Sequence, residues 1–193
     1  VITKHEIYSY EEAAIVINEN YDCCILQHEY GIFGGESGDF VLKLTEDIKI
    51  PILTIFHTIL QKPSTDQHLI LQKISATSSY IVVMTAYAVG LLIDLYGVPT
   101  NKISHIPHGV PLFNFDHAKA KSDIGITDKV ILLSFGFLGR GKGFETAIQA
   151  VATLPHKKLI YIILGTTHPN VLKHEGETYR DLLIQKCKEL EVD

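Results

Sequence analysis

The residues best suited to chemistry lie between Gly136 and Gly143, in G-F-L-G-R-G-K-G. Four glycines, Gly136, Gly139, Gly141 and Gly143, alternate there with Phe137, Leu138, Arg140 and Lys142. Glycines let a backbone turn sharply and approach a ligand closely, and two cations favour a ligand that is an anion. A phosphate or diphosphate is the expected guest. Gly136 to Lys142 formally spells G-x-x-x-x-G-K, the opening of an NTPase P-loop. Gly143 then stands where that motif needs Ser or Thr to hold magnesium, and G-x-G-x-x-G is not spelled either. A P-loop-like NTPase or kinase stays open as an alternative.

A second group of polar residues is expected at strand ends. His28 and Glu29 open the run Q-H-E-Y-G-I-F-G-G-E-S-G at residues 27 to 38, in which Gly34 and Gly35 would admit close backbone contact. His57 follows the apolar run Ile52 to Phe56, and His168 and Asn170 lie in G-T-T-H-P-N. Carboxyl ends of strands line the ligand crevice of open α/β sheets. A histidine there can donate to a sugar or phosphate oxygen, or transfer a proton near neutral pH.

The elements that must position these residues can be read from the spacing. Val130 to Leu133 predicts a strand buried on both faces, and Phe144, Ala147, Ile148, Val151 and Ala152 recur at helical spacing behind the glycine loop. Strand, glycine loop and helix together form an anion site, because the first helical turn presents unpaired N–H groups and the positive end of the dipole. Upstream, Ser9 and Glu12 spell a capping box for a first helix ending near Asn20, and Cys23 to Leu26 predicts a short strand. A helix over 38–47, a strand over 52–56, a helix opened by Ser64 and Gln67, a strand over 80–84, a helix capped by Thr85 and a strand over 103–106 continue the alternation. P-H-G-V-P at residues 107 to 111 punctuates the chain and sets an expected domain boundary near Val110. Past it come a short helix over 116–125, the central strand and loop, a strand over 159–164 and a last helix carrying Tyr179, Leu182, Leu183, Cys187 and Leu190. The expected fold class is α/β, with two Rossmann-like doubly wound domains facing across a cleft.

Composition excludes several functions. A net charge of −5 with dispersed lysines argues against nucleic-acid partners. Ten histidines are scattered, and His28-Glu29 lacks the second histidine of a zinc helix, so no bound metal is expected. Cys23, Cys24 and Cys187 have neither disulfide-framework nor zinc spacing, which favours a reducing, cytoplasmic setting. The 193 residues begin at Val1 without methionine and stop after a helical stretch, so a fragment is expected. Oligomeric state and membrane association have no readable signal.

Three stretches, in order, resemble the retaining, nucleotide-sugar-dependent glycosyltransferases of the GT-B fold, group 1 or family 4 type. I-L-T-I-F-H is similar to that family's N-domain T-x-H segment, Y-G-V-P-T-N-K-I-S-H-I-P-H-G-V-P to its interdomain stretch, and F-G-F-L-G-R-G-K-G-F-E-T-A-I-Q-A to its donor-diphosphate loop. The resemblance implies that residues 1–110 are the later part of an acceptor-side N-domain and residues 111–193 the first part of a nucleotide-sugar donor domain. It implies hexosyl transfer from a UDP- or GDP-linked sugar to a hydroxyl acceptor, saccharide or lipid-linked, with retention and no obligatory metal. Lys142 falls on the lysine that contacts the diphosphate, and His57 on the histidine near the transferred sugar. His28 and Glu29 would meet acceptor, while Gly139, Arg140, Gly141, Gly143 and His168 would line the donor side. The family places arginine directly after the strand-end glycine, where this chain has Phe137. Arg140 is the candidate to supply the missing charge. That departure also keeps a non-catalytic sugar-phosphate binding module as an alternative.

Overall fold

The computed structural model describes residues 1–154 and 158–192, which fall into two units, Val1–Pro111 and Leu112–Asp193. The first unit alternates helix and strand: α1 (Ile7–Asn20), β1 (Cys24–His28), α2 (Phe40–Asp47), β2 (Ile52–Phe56), α3 (Thr65–Thr77), β3 (Tyr80–Val83), α4 (Ala86–Asp94) and β4 (Ile103–His105). Its sheet is parallel in the order β1-β2-β3-β4, with Cys24 opposite Ile52, Leu53 opposite Tyr80 and Ile81 opposite Ile103. Right-handed crossovers that all step the same way put their helices on one face. The burial agrees. Leu26, Ile52, Phe56, Ile81 and Val83 form one core with Tyr10 and Ala14 of α1, Val41 and Leu44 of α2, Ile70, Leu71 and Ile74 of α3, and Leu92 of α4. On the other face Ile25 is exposed and Leu53 and Ile55 are half-buried.

Local chemistry sets most of the ends. Ser64 caps α3 by accepting from the Gln67 amide at 3.2 Å while the Gln67 side chain accepts from the Ser64 amide at 2.9 Å. Thr85 caps α4 by accepting from the Ala88 amide. Ser9 does not cap α1, contrary to its spacing with Glu12. Glu6 is the extended residue at which the chain enters the helix. The Ser9 hydroxyl turns back to the Glu6 and Thr3 carbonyls and accepts from the Thr3 amide. The far end of α3 is closed by a distant side chain: the Lys102 ammonium donates to the carbonyls of Ser75, Ala76 and Ser78 at 3.3, 3.3 and 2.9 Å. Lys102→Met keeps the stem and removes those bonds. It is expected to lower the stability of this unit by about 1–2 kcal/mol, read as a drop in the urea midpoint; an unchanged midpoint would refute the cap.

The second unit contains α5 (His117–Asp123), β5 (Val130–Phe135), α6 (Phe144–Ala152), β6 (Leu159–Leu164), α7 (Pro169–Glu175) and α8 (Thr178–Glu189). β5 and β6 pair in parallel from Val130–Leu159 to Phe135–Leu164, and one further bridge joins Leu138 to Thr167. Leu138, Phe144, Ile148, Tyr179 and Leu183 are the buried core, with Tyr161, Ile163 and Cys187 packed on it. β5 departs from the expectation of a strand buried on both faces, since Val130, Leu132, Leu133 and Phe135 are exposed. Among the described residues its one strand neighbour is β6, and the core forms on the side of α6 and α8. No helix among the described residues is long and apolar enough to cross a membrane.

Candidate functional site

At the end of β5 the chain leaves the sheet at Gly136 and is laced to the end of β6. The Gly136 amide donates to Leu164 O at 3.0 Å, the Leu138 amide to Thr166 O at 2.8 Å and the His168 amide to Leu138 O at 2.9 Å. The loop then passes through Gly141 and Gly143, which hold φ of +82° and +79°, a region L side chains avoid. Gly143 is the N-cap of α6 and offers that helix no side-chain hydrogen bond. The first amides of α6 therefore start beside Lys142. Lys142 is exposed and, among the described residues, belongs to no ion pair. With Ser134, Phe135, Phe137 and Phe144 it lines a cavity of about 370 Å³. A phosphate group held here would meet an ammonium, backbone N–H groups and a helix dipole of the right sign.

Arg140 and His168 take other partners. The Arg140 Nε lies 3.4 Å from Glu175 Oε2, and its guanidinium stands 5.6 Å from the centre of the Tyr179 ring. Burial and the Glu145 carboxylate push the Tyr179 hydroxyl up to about 12. His168 caps α7: its Nδ1 accepts from the Asn170 amide at 3.1 Å, which puts the proton of the neutral ring on Nε2. Its ring stands edge-on to Phe137, centroids 5.3 Å apart. α7 is not among the elements expected from spacing, although proline right after a capping residue is a helix-start signal. Thr167 donates to Glu177 Oε2 in the same corner.

In the first unit β1 runs two residues further than expected, to His28, and this moves His28 inward. Its side chain is 1% exposed, stacked on Phe33 at 5.8 Å and edge-on to Tyr30 and Phe56. Nδ1 is buried with no hydrogen-bond partner among the described residues. Burial lowers its pKa to about 4, with Glu29 pulling upward and His57 adding to the fall. Gly34 and Gly35 face their own chain: a Cβ on Gly34 would stand 1.7 Å from the Lys4 carbonyl oxygen, and one on Gly35 1.8 Å from an Asp39 carboxylate oxygen. The Tyr10 hydroxyl fastens that contact, donating to Lys4 O at 3.0 Å and accepting from the Gly34 amide at 2.9 Å.

His57 and Glu29 are accessible to a ligand. His57 is exposed, and its Nε2 donates to Gln27 Oε1 at 2.7 Å, since that oxygen only accepts. The neutral ring then keeps Nδ1 as an acceptor. His108 lies 6.4 Å away, centroid to centroid. Glu29 accepts from the Thr58 hydroxyl at 2.7 Å and from the Tyr30 amide at 3.0 Å. Beside them Phe56, His57, Thr58, Thr85 and Tyr87 line a cavity of about 250 Å³. Gln27, Thr58 and His108 were missed by sequence reasoning; strand register places Gln27 beside the β2 end, one residue before His28. No cluster of three or more histidine, cysteine or acidic side chains suited to a metal occurs among the described residues.

No family model matches the chain, and no curated protein matches it. Solved structures do. HepE from Anabaena, in complex with UDP, superposes with a TM-score of 0.69 at 15% identity over 96% of this chain and 49% of that one. Sucrose-phosphate synthase from Thermosynechococcus elongatus gives 0.70 at 14% identity, covering 96% and 48%. A glycosyltransferase from Rickettsia africae ESF-5 gives 0.68 at 15%, covering 96% and 48%. The chain spans about half the length of these structures. Its fold is α/β and Rossmann-like, that of the GT-B glycosyltransferases.

Proposed function

We propose that the chain is part of a cytoplasmic retaining glycosyltransferase that moves a hexosyl group from a UDP- or GDP-linked sugar to a hydroxyl acceptor, without an obligatory metal. Residues 111–193 are read as the donor part and residues 1–110 as the acceptor part. The observation that carries this is the Lys142 ammonium, which among the described residues pairs with no acid, next to the start of α6 and lining a cavity large enough for a phosphorylated ligand, on a fold whose solved relatives include a UDP complex. In the reaction the bond from the anomeric carbon to the diphosphate oxygen breaks and a bond to the acceptor oxygen forms on the same face. The acceptor proton passes to the departing diphosphate. Charge builds on that diphosphate, and Lys142 with the helix start stabilises it. Gly139, Gly141 and Gly143 leave room for the diphosphate, and His168 reaches the donor through Nε2. His57, through Nδ1, and Glu29 face the sugar and acceptor. His28, Gly34 and Gly35 support that wall from behind.

Calorimetric titration of the chain with UDP, GDP and their sugar conjugates, with and without EDTA, tests the reading. Saturable binding that EDTA leaves unchanged is the expected result and names the base. Failure of every nucleoside diphosphate to bind, or binding only with magnesium, would overturn it.

A further inference from the structure

Arg140 is the second cation of the glycine loop, yet it is directed at protein. Its Nε meets Glu175 Oε2, and its guanidinium lies over Tyr179, a ring that is fully buried in the core with Leu138, Phe144, Ile148 and Leu183. Glu175 is the last residue of α7, whose capping residue His168 is itself bonded to Leu138 at the start of the loop. The segment is thus tied to the α7–α8 corner twice, once at Leu138–His168 and once at Arg140–Glu175. Between Arg140 and α6 the backbone bond among the described residues is local, from the Lys142 amide to Gly139 O at 3.4 Å, and nothing stands within 4 Å of where a Cβ would lie on Gly141 or Gly143. An exposed ion pair contributes little by itself, but an immobile aromatic face beneath the guanidinium fixes its direction.

We infer that Arg140 is a positioning residue, tethering the Gly139–Gly143 loop to Glu175 and Tyr179 so that Lys142 is presented to the anion, rather than a ligand of the anion itself. This rests on the donor-site reading of Lys142. Phe137 then has no charged substitute, and the loop meets its guest with one cation.

Two measurements on Glu175→Gln and Arg140→Ala decide it. The first, which requires no ligand, is hydrogen exchange of the Lys142 amide, which donates to Gly139 O at 3.4 Å within the tethered loop. Both variants are expected to speed it about three- to tenfold, in line with a weak exposed pair and its aromatic contact; an unchanged rate in Glu175→Gln would overturn the tether. The second is UDP and GDP affinity. Removing an acidic charge near an anion site should on electrostatic grounds alone strengthen binding, and an Arg140 freed to contact phosphate would strengthen it further. The tether instead requires Glu175→Gln to bind about three- to tenfold more weakly, with Arg140→Ala/Glu175→Gln no worse than Arg140→Ala alone. Equal or tighter binding by Glu175→Gln would sink the inference. Should no nucleotide bind even the unaltered chain, the donor reading fails and exchange alone judges the tether.

Discussion

Lys142→Ala is expected to weaken binding of UDP or GDP about 10- to 150-fold while leaving the unfolding transition where it was. A hydrogen bond to a charged group contributes about 1.5–3 kcal/mol, and each 1.4 kcal/mol is about tenfold in affinity. The side chain is exposed and, among the described residues, pairs with no acid, so its removal costs the fold nothing that the structure records. The loss should shrink as salt rises, because an exposed charge is screened. Lys142→Arg should recover only part of the affinity, since a planar fork does not replace a compact ammonium at a loop built from glycines. Calorimetry of the three forms at two salt concentrations makes the comparison. An affinity in Lys142→Ala within twofold of the unaltered chain would remove the lysine from the site and, with it, the main support for a diphosphate ligand.

The parts of the molecule that were legible in the sequence are those where local chemistry decides. The Ser64–Gln67 box, the Thr85 cap and the strand Ile52–Phe56 stand where the sequence puts them, because capping and a short apolar run are written within a few residues. The glycine loop and α6 were equally legible, since positive φ at Gly141 and Gly143 is a local demand. Contacts distant in the chain were not. The Lys102 cap of α3 spans 24 to 27 residues, and Arg140 finds Glu175 35 residues away. Tertiary packing added what residue type does not carry: in the expected ligand loop His28 lies among Phe33, Tyr30 and Phe56, and Gly34 and Gly35 lie against Lys4 and Asp39. Strand register sets the exposure of His28 against that of its neighbour. His28 points into the sheet's covered face, and Gln27 takes the outward place beside His57.

That inward histidine carries the other large expected effect. In the unfolded chain His28 titrates near its ordinary 6.5, and in the folded unit near 4, because burial among Phe33, Tyr30 and Phe56 disfavours the imidazolium. The facing Glu29 opposes that fall without reversing it, and His57 adds to it. The unfolded state therefore binds more protons than the folded one between these two values, and stability falls as the pH drops through the window. Above about 6.5 both states are neutral at this site and the full stability is present; below about 4 the loss is complete. At 1.36 kcal/mol per unit the loss is about 3 kcal/mol, a large share of the net stability of a small domain. The quantity to measure is a difference between two chains that share every other titrating group. Urea unfolding of the unaltered chain and of His28→Leu, followed by circular dichroism at several pH values from 7.5 to 4, isolates the histidine. The leucine variant is expected to lose about 3 kcal/mol less over that range, whatever its stability at pH 7.5. Parallel pH profiles for the two chains would mean that His28 accepts its proton without cost, and that its buried Nδ1 finds water or a partner when the unit is folded.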